Sequence, residues 1–278
     1  MCGISGFNWQ DEALVSRMCD TIAHRGPDDF GLYSDQCVSL GHRRLSIIDL
    51  ERGRQPLSNE DETVWIVFKG EIYNFVELRK QLVAAGHRFK TSTDTEVIIH
   101  LYEEHGTDCV QYLRGMFAFA IWDRPQRRLF LARDHVGQKP LFFHHANNRF
   151  AFASEIKALL KLDHITPEVD TAAMNHLISL RYAPGTQTLF KGIHKLPAGH
   201  RMIFESDQLR IERIDPSATG LACLGPKEPQ HGCYSPAPCN WHHRSPRQYE
   251  PRCRFLKDKI IALQRDLYFD ARRSKKEP

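Results

Sequence analysis

The chain has 278 residues, of which 41% are apolar and 26% charged, and a formal net charge of +4 at pH 7. This composition is ordinary for a soluble globular protein, and the mild positive charge gives no reason to expect a nucleic-acid or membrane partner. No apolar run reaches the roughly 18 residues of a membrane span, and the N-terminus has no signal-peptide pattern. We therefore expect a cytoplasmic protein whose cysteines are reduced.

Two helices have clear start and stop signals. Asn74 can cap the first of them, and Gly86 can end it. Asp94 or Thr95 opens the second, which ends at Gly106 and places its apolar residues on one side. Shorter helices are predicted near 13–23 and near 155–160.

Strands are predicted where β-branched and aromatic residues dominate short apolar runs. Residues 116–122 (MFAFAIW) predict a strand that is buried on both faces. The other predicted strands are 63–68, 128–132, 141–143 and 149–153, and residues 201–213 predict a hairpin. Runs of strands interrupted by a pair of helices favour an α+β sandwich over strict βαβ alternation.

The chain changes character after about residue 213. Residues 216–251 contain seven prolines and almost no periodic apolar pattern, so they are not expected to form a packed structure. One amphipathic helix is predicted at 255–270. We interpret 214–278 as an irregular tail of the kind a reading-frame slip would produce, or alternatively as a linker or interaction segment. Its cysteines and histidines lack the C-x₂₋₄-C spacing of structural zinc sites, so no metal site is predicted.

The cysteine that follows Met1 is the most informative single residue. Removal of Met1 would give Cys2 both a thiol and a free α-amine, whose ordinary pKa is about 7.7–8.0. Such an amine can serve as the base for its own side chain, as in N-terminal nucleophile enzymes. On position alone, however, a small buried residue at the start of a strand is the better interpretation of Cys2.

Ordered motifs change that interpretation. In chain order these motifs are MCGISGF, HRGPDD, GHRRLSIIDL, KGEIYN, STDTE, GMFAFAIWD, ARDHVGQKPLFF, FASEIKALL and RYAPGTQTLFKGIHKLPAGH. With them the chain resembles the class II glutamine amidotransferase domain of glutamine-hydrolysing asparagine synthetases over about residues 2–213. The resemblance implies a four-layer αββα sandwich of the N-terminal nucleophile hydrolase type.

The resemblance also implies roles for particular residues. Cys2 matches the nucleophile, and Gly70 matches the glycine whose main-chain N–H forms half of the oxyanion hole. Arg44 matches the arginine that holds the α-carboxylate of glutamine, a task suited to a planar guanidinium. Glu71 and Asp94 match the acidic residues that bind its α-amino group.

A second motif supplies residues near this site. His24 and Arg25 lie in the HRGPDD motif, which borders the site in the family. We interpret both as positioning residues, not as acid–base catalysts.

The chain departs from the family pattern at Lys69. The family has an asparagine there, whose side-chain amide donates the second oxyanion hydrogen bond. Loss of one such donor typically lowers the rate by roughly a hundredfold to a thousandfold. We therefore expect glutaminase activity to be strongly reduced, and Lys69→Asn to restore it.

A second departure concerns what is missing. The ATP-dependent domain of the family, with its S-G-G-x-D-S loop, has no counterpart in the sequence. ATP and Mg²⁺ belong to that domain, and the glutaminase domain needs no cofactor. We therefore expect a truncated glutaminase half that uses glutamine and delivers ammonia to a separate synthetase domain or chain. The alternatives are a glutamine-binding module without turnover and a non-functional fragment.

Overall fold

The computed structural model describes residues 2–46, 49 and 53–215. Within them twelve strands pair only in antiparallel fashion. In chain order they are β1 (Gly3–Phe7), β2 (Asp29–Ser34), β3 (Ser39–Arg44), β4 (Leu57–Ser58), β5 (Val64–Ile72), β6 (Gly115–Asp123), β7 (Arg128–Arg133), β8 (Phe142–Ala146), β9 (Arg149–Ala153), β10 (Ile193–Lys195), β11 (His200–Glu205) and β12 (Gln208–Arg213).

Two sheets of six strands result from this pairing among the described residues. The first sheet has the order β10-β8-β9-β1-β3-β2, and the second has the order β12-β11-β7-β6-β5-β4. The α-helices of the same residues are α1 (Glu12–Thr21), α2 (Phe75–Ala84), α3 (Asp94–His105), α4 (Ile156–Leu159) and α5 (Thr171–Leu180).

Three apolar cores define the layers. One core lies between the two sheets and includes Ile4 and Val67. A second joins α2 and α3 to the outer face of the second sheet, and a third joins α1 and α4 to the outer face of the first. The order of layers is therefore helix, sheet, sheet, helix, which confirms the predicted α+β sandwich.

Most predicted elements between 63 and 160 are confirmed. Strand β6 is buried on both faces, as its apolar pattern predicts. The predicted hairpin is β11 paired with β12. Strand β1 begins beside Cys2, where the position of that residue suggested a strand. Strands β2 and β3 and helix α5 were not predicted. The two strands are short segments with glycine, serine and arginine among their residues, which carry little periodic signal. The helix predicted at 255–270 lies outside the described residues.

The predicted N-cap position of α2 is correct, but the predicted capping role of the Asn74 side chain is wrong. Asn74 is the N-cap residue, but its side chain makes no capping hydrogen bond. Instead Asn74 Nδ2 donates to the Tyr112 carbonyl at 2.9 Å and Oδ1 accepts from Arg114 N–H at 3.0 Å. The amide thus joins the start of α2 to the segment that enters β6, a contact that local spacing does not reveal.

No helix in the described part of the chain has the length and apolar character needed to cross a membrane.

Candidate active site

A pocket lies where the ends of β1, β3 and β5 meet the first turn of α3. Cys2 precedes β1, Arg44 ends β3, and Gly70 and Glu71 lie near the end of β5. Asp94 is the first residue of α3. All five line the same pocket. The fold thus brings together five of the six residues whose roles the resemblance implies.

The thiol of Cys2 is held against the chain that follows β3. Its Sγ accepts a hydrogen bond from Leu45 N–H at 3.3 Å and lies 3.6 Å from the Leu45 carbonyl oxygen. The side chain is half-buried, so a ligand in the pocket can reach it.

Two carboxylates, those of Glu71 and Asp94, also line the pocket, and neither forms an ion pair with another described residue. Asp94 is 6% exposed, and its Oδ2 accepts from Ile72 N–H at 2.9 Å. Burial raises the pKa of the Asp94 carboxyl, and the negative charge of Glu71 adds to the rise. A cationic ligand group would relieve both effects, so this part of the pocket is suited to an ammonium.

Arg44 supplies the positive charge of the pocket. Its side chain is 6% exposed, and Nη2 donates to the main-chain carbonyl of Asp49. This contact orients the guanidinium from behind. A planar guanidinium with further N–H groups can bind a carboxylate in bidentate fashion.

The main chain of β5 presents donors to the pocket. Strand β4 pairs with β5 only at residues 65 and 66, and no other described strand pairs with that edge of β5. There Gln55 Oε1 accepts Phe68 N–H at 2.7 Å, and Asp94 accepts Ile72 N–H. Because the N–H groups of a strand alternate in direction, that of Gly70 points to the same side, between those two.

Gly70 is required by its surroundings. Its φ is +151°, and a Cβ atom there would lie 2.1 Å from the Met116 carbonyl oxygen. Any other residue would clash with the neighbouring strand β6. The glycine therefore allows β5 to remain paired while its main chain lines the pocket.

The side chains of Lys69 and Cys2 both begin on the faces of their sheets that point toward the space between the two sheets. Since Ile4 and Val67 both lie between the sheets, residues two positions away begin on that side too. Lys69, however, does not line the pocket: it is 2% exposed and Nζ donates to the Pro140 carbonyl. Burial lowers its pKa well below the usual range, and the charges of Arg25 and Arg133 act in the same direction.

His24 and Arg25 also lie outside the lining of the pocket. Both contact one carboxylate oxygen of Glu155, His24 at 2.9 Å. Lys157 contacts the other oxygen at 3.2 Å. Burial opposes ionisation of Glu155, but these partners more than offset it, and the carboxyl pKa is lowered. This ion-pair group fixes the loop after α1 against the start of α4.

Several pocket residues were not predicted from the sequence. Gln55, whose amide also donates to Thr95 Oγ1 at 3.2 Å, has no motif that marks it as functional. Leu45 acts through its main chain, which side-chain chemistry does not reveal. The remaining unpredicted lining residues are Gly53, Phe68, Thr93 and Thr95.

Comparison with known proteins defines the class. The family model described as "Glutamine amidotransferase domain" matches residues 1–214. The chain therefore belongs to the class II glutamine amidotransferase domain family. The match ends one residue beyond the predicted domain, 2–213, and the tail predicted for 214–278 lies almost entirely outside the described residues.

Relatives within the family carry a more particular name. Residues of this chain are 41% identical over 225 positions to asparagine synthetase [glutamine-hydrolyzing] 3 of Bacillus subtilis, covering 77% of this chain and 36% of the relative. Asparagine synthetase [glutamine-hydrolyzing] 1 of the same organism is 42% identical over 215 positions, covering 74% and 34%. The domain is thus homologous to the glutaminase domains of asparagine synthetases, and the chain spans about a third of those relatives' length.

Solved structures support the fold. The glutamine phosphoribosylpyrophosphate amidotransferase of Bacillus subtilis, complexed with ADP and GMP, superimposes with a TM-score of 0.57. Its sequence is 19% identical, and the match covers 77% of this chain and 49% of that one. The predicted four-layer sandwich of the N-terminal nucleophile hydrolase type is confirmed by this likeness.

Proposed function

We propose that this domain binds glutamine and hydrolyses it to glutamate and ammonia through a γ-glutamyl thioester on Cys2. The observation that carries the proposal is the convergence of a thiol, a guanidinium and two carboxylates on one pocket. The charged side chains complement the α-carboxylate and the α-ammonium of a free amino acid. The thiol is then left to face the side chain of that amino acid.

Binding is assigned to the charged side chains of the pocket. Arg44 would hold the α-carboxylate, and Glu71 and Asp94 would hold the α-ammonium. The raised pKa of Asp94 supports this assignment, because a bound cation stabilises the ionised carboxylate.

The chemistry needs Met1 to be removed. The α-amine of Cys2 then accepts the thiol proton as Sγ attacks the side-chain amide carbon, and Gly70 N–H donates to the developing oxyanion. The C–N bond breaks when the amine returns the proton to the leaving nitrogen, which departs as ammonia. Water then attacks the thioester, releasing glutamate and restoring the thiol.

A second candidate is a glutamine-binding module with little turnover. The contact between Lys69 and the Pro140 carbonyl favours this reading, because it directs the ammonium away from the pocket. The oxyanion would then depend on Gly70 alone. We therefore propose that the glutaminase rate is low, while glutamine binding is retained.

The fate of the ammonia is also a proposal. We infer that it serves a separate synthetase domain or chain, as the names of the relatives suggest. Asparagine synthesis, with its ATP and Mg²⁺, is assigned to that partner, and the glutaminase reaction itself is proposed to need no cofactor. A cytoplasmic location stays a prediction from the sequence.

Labelling with a glutamine-analogue diazo-ketone tests the proposal. Mass spectrometry should find one adduct on an N-terminal Cys2, and excess glutamine should protect it. A parallel assay of glutamate release then separates an active glutaminase from a binding module. A chain that retains Met1 and stays unlabelled would contradict the proposed thioester chemistry at Cys2.

A further inference from the structure

A second cluster of ionisable side chains lies on α3, away from the pocket. The rings of His87 and His100 lie with their centroids 4.7 Å apart and are tilted by 43°. They lie between carboxylates from two segments. Glu60 comes from the turn between β4 and β5, and Glu103 from the last turn of α3. We call these four residues the His87–His100 cluster. It has no part in the proposed glutaminase reaction.

The inner faces of this cluster point at one another. Glu103 Oε2 lies 3.4 Å from His87 Nδ1 and 2.7 Å from His100 Nδ1. Glu60 Oε2 lies 4.0 Å from His100 Nδ1. Donor atoms of Glu60, His87 and His100 all lie within 4.8 Å of one another. Four ligands at about 2.0–2.1 Å from a tetrahedral ion are about 3.3 Å apart, so small side-chain shifts suffice.

The outer ring nitrogens face further carboxylates. His87 Nε2 lies 2.8 Å from Glu104 Oε1. His100 is fully buried, its Nε2 has no hydrogen-bond partner among the described residues, and it lies 3.8 Å from Glu96 Oε1. Histidines that ligate metals usually donate their other N–H to a carboxylate, which orients the ring. His87 has that arrangement with Glu104, and Glu96 is the carboxylate nearest to the outer nitrogen of His100.

The carboxylates are also held from behind. Glu103 Oε1 accepts from Asn59 Nδ2 at 2.8 Å, and Glu60 Oε1 accepts from Arg88 N–H at 3.2 Å. Each therefore keeps its second oxygen toward the histidines. An ordinary ion-pair network explains His100 between Glu96 and Glu103, but it does not explain why a second imidazole and a third carboxylate converge on the same point.

We propose that the His87–His100 cluster binds one divalent transition-metal ion of the zinc type, through two nitrogens and two oxygens. Two imidazoles disfavour Ca²⁺ and Mg²⁺, which prefer oxygen ligands. The ion enters past Glu60, whose side chain is 40% exposed, while that of His100 is 1% exposed. Bound metal ties the β4–β5 turn and the segment after α2 to α3.

Titration of the metal-free full chain with Co²⁺ tests the site. A nitrogen and oxygen site gives visible d–d bands without thiolate-to-cobalt charge transfer, so cysteine sites elsewhere in the chain are distinguishable. We expect one equivalent to bind with such bands. His87→Gln and Glu60→Gln should each weaken binding at least about tenfold to a hundredfold.

His105→Gln is the matched control, since His105 is an exposed histidine of the same helix that stacks on Tyr112. It should bind Co²⁺ as the unaltered chain does. Thermal melting of the metal-free variants, expected to be unchanged, checks their folding. Equal binding by the unaltered chain and both cluster variants, bands from thiolate ligation only, or no binding at all would overturn the proposal.

Discussion

The two sides of the pocket differ in how far they are prepared for a substrate. On the binding side, Arg44 and Asp94 are buried, oriented by main-chain contacts and directed at the pocket. On the reaction side, Cys2 is in place, but Lys69 contacts the Pro140 carbonyl and does not line the pocket. Substrate recognition and turnover therefore rest on separate residues, so we expect that either can be changed without the other.

The largest expected effect is on the reaction side. In a Lys69→Asn background, Cys2→Ser should lower glutamate release by at least about a thousandfold, because the covalent step needs a thiolate. Glutamine binding, measured by calorimetry, should persist. Cys37→Ser, a half-buried cysteine outside the pocket, serves as the control. Loss of binding and turnover together would show that the two sides are not separable.

Restoring the missing amide is the second test. Lys69→Asn should raise glutamate release by roughly a hundredfold to a thousandfold, because one oxyanion donor is worth about that much. Lys69→Met removes the charge without adding an amide, and it should leave the rate low. If methionine restores activity as well as asparagine does, the ammonium itself is the inhibitory feature and not the absent donor.

A smaller change is expected on the binding side. Asp94→Asn keeps an oxygen for Ile72 N–H but removes the charge, so glutamine affinity should fall by roughly 10- to 100-fold. Calorimetric titration measures this directly. Asp163→Asn, at an exposed position outside the pocket, should leave the affinity unaltered. Unchanged affinity in Asp94→Asn would remove Asp94 from the ammonium site.

The smallest effect concerns stability and pH. Because the pKa of Lys69 is lowered by burial, the unfolded chain binds more protons than the folded chain between the folded pKa and about 10.5. Stability therefore rises with pH in that window. Relative to Lys69→Met, the unaltered chain should gain stability as pH is raised toward 10.5 in urea unfolding. A constant difference would mean that folding does not lower the pKa of Lys69.

The sequence predicts much of this fold because its central strands are long apolar runs, such as β6. It does not reveal α5, whose apolar Ile178 and Leu180 are exposed and so give no inward-facing pattern. In the pocket, motifs point to the charged side chains. They do not reveal Leu45, which acts through its main-chain N–H, or Gln55, whose side-chain amide faces the edge of β5. Both contacts depend on tertiary geometry. The direction of the Lys69 side chain is hidden for the same reason.

The contact between Lys69 and Pro140 also has a meaning for the history of this chain. Codons for lysine and asparagine differ at one base, so a single-base substitution exchanges the two residues at position 69. The Pro140 carbonyl, however, loses its lysine donor in that step. It belongs to a loop that Arg133 fixes through the carbonyls of Gly137 and Lys139. We therefore expect position 69 to be coupled to this loop: the effect of Lys69→Asn should depend on whether the Pro140 carbonyl finds another donor.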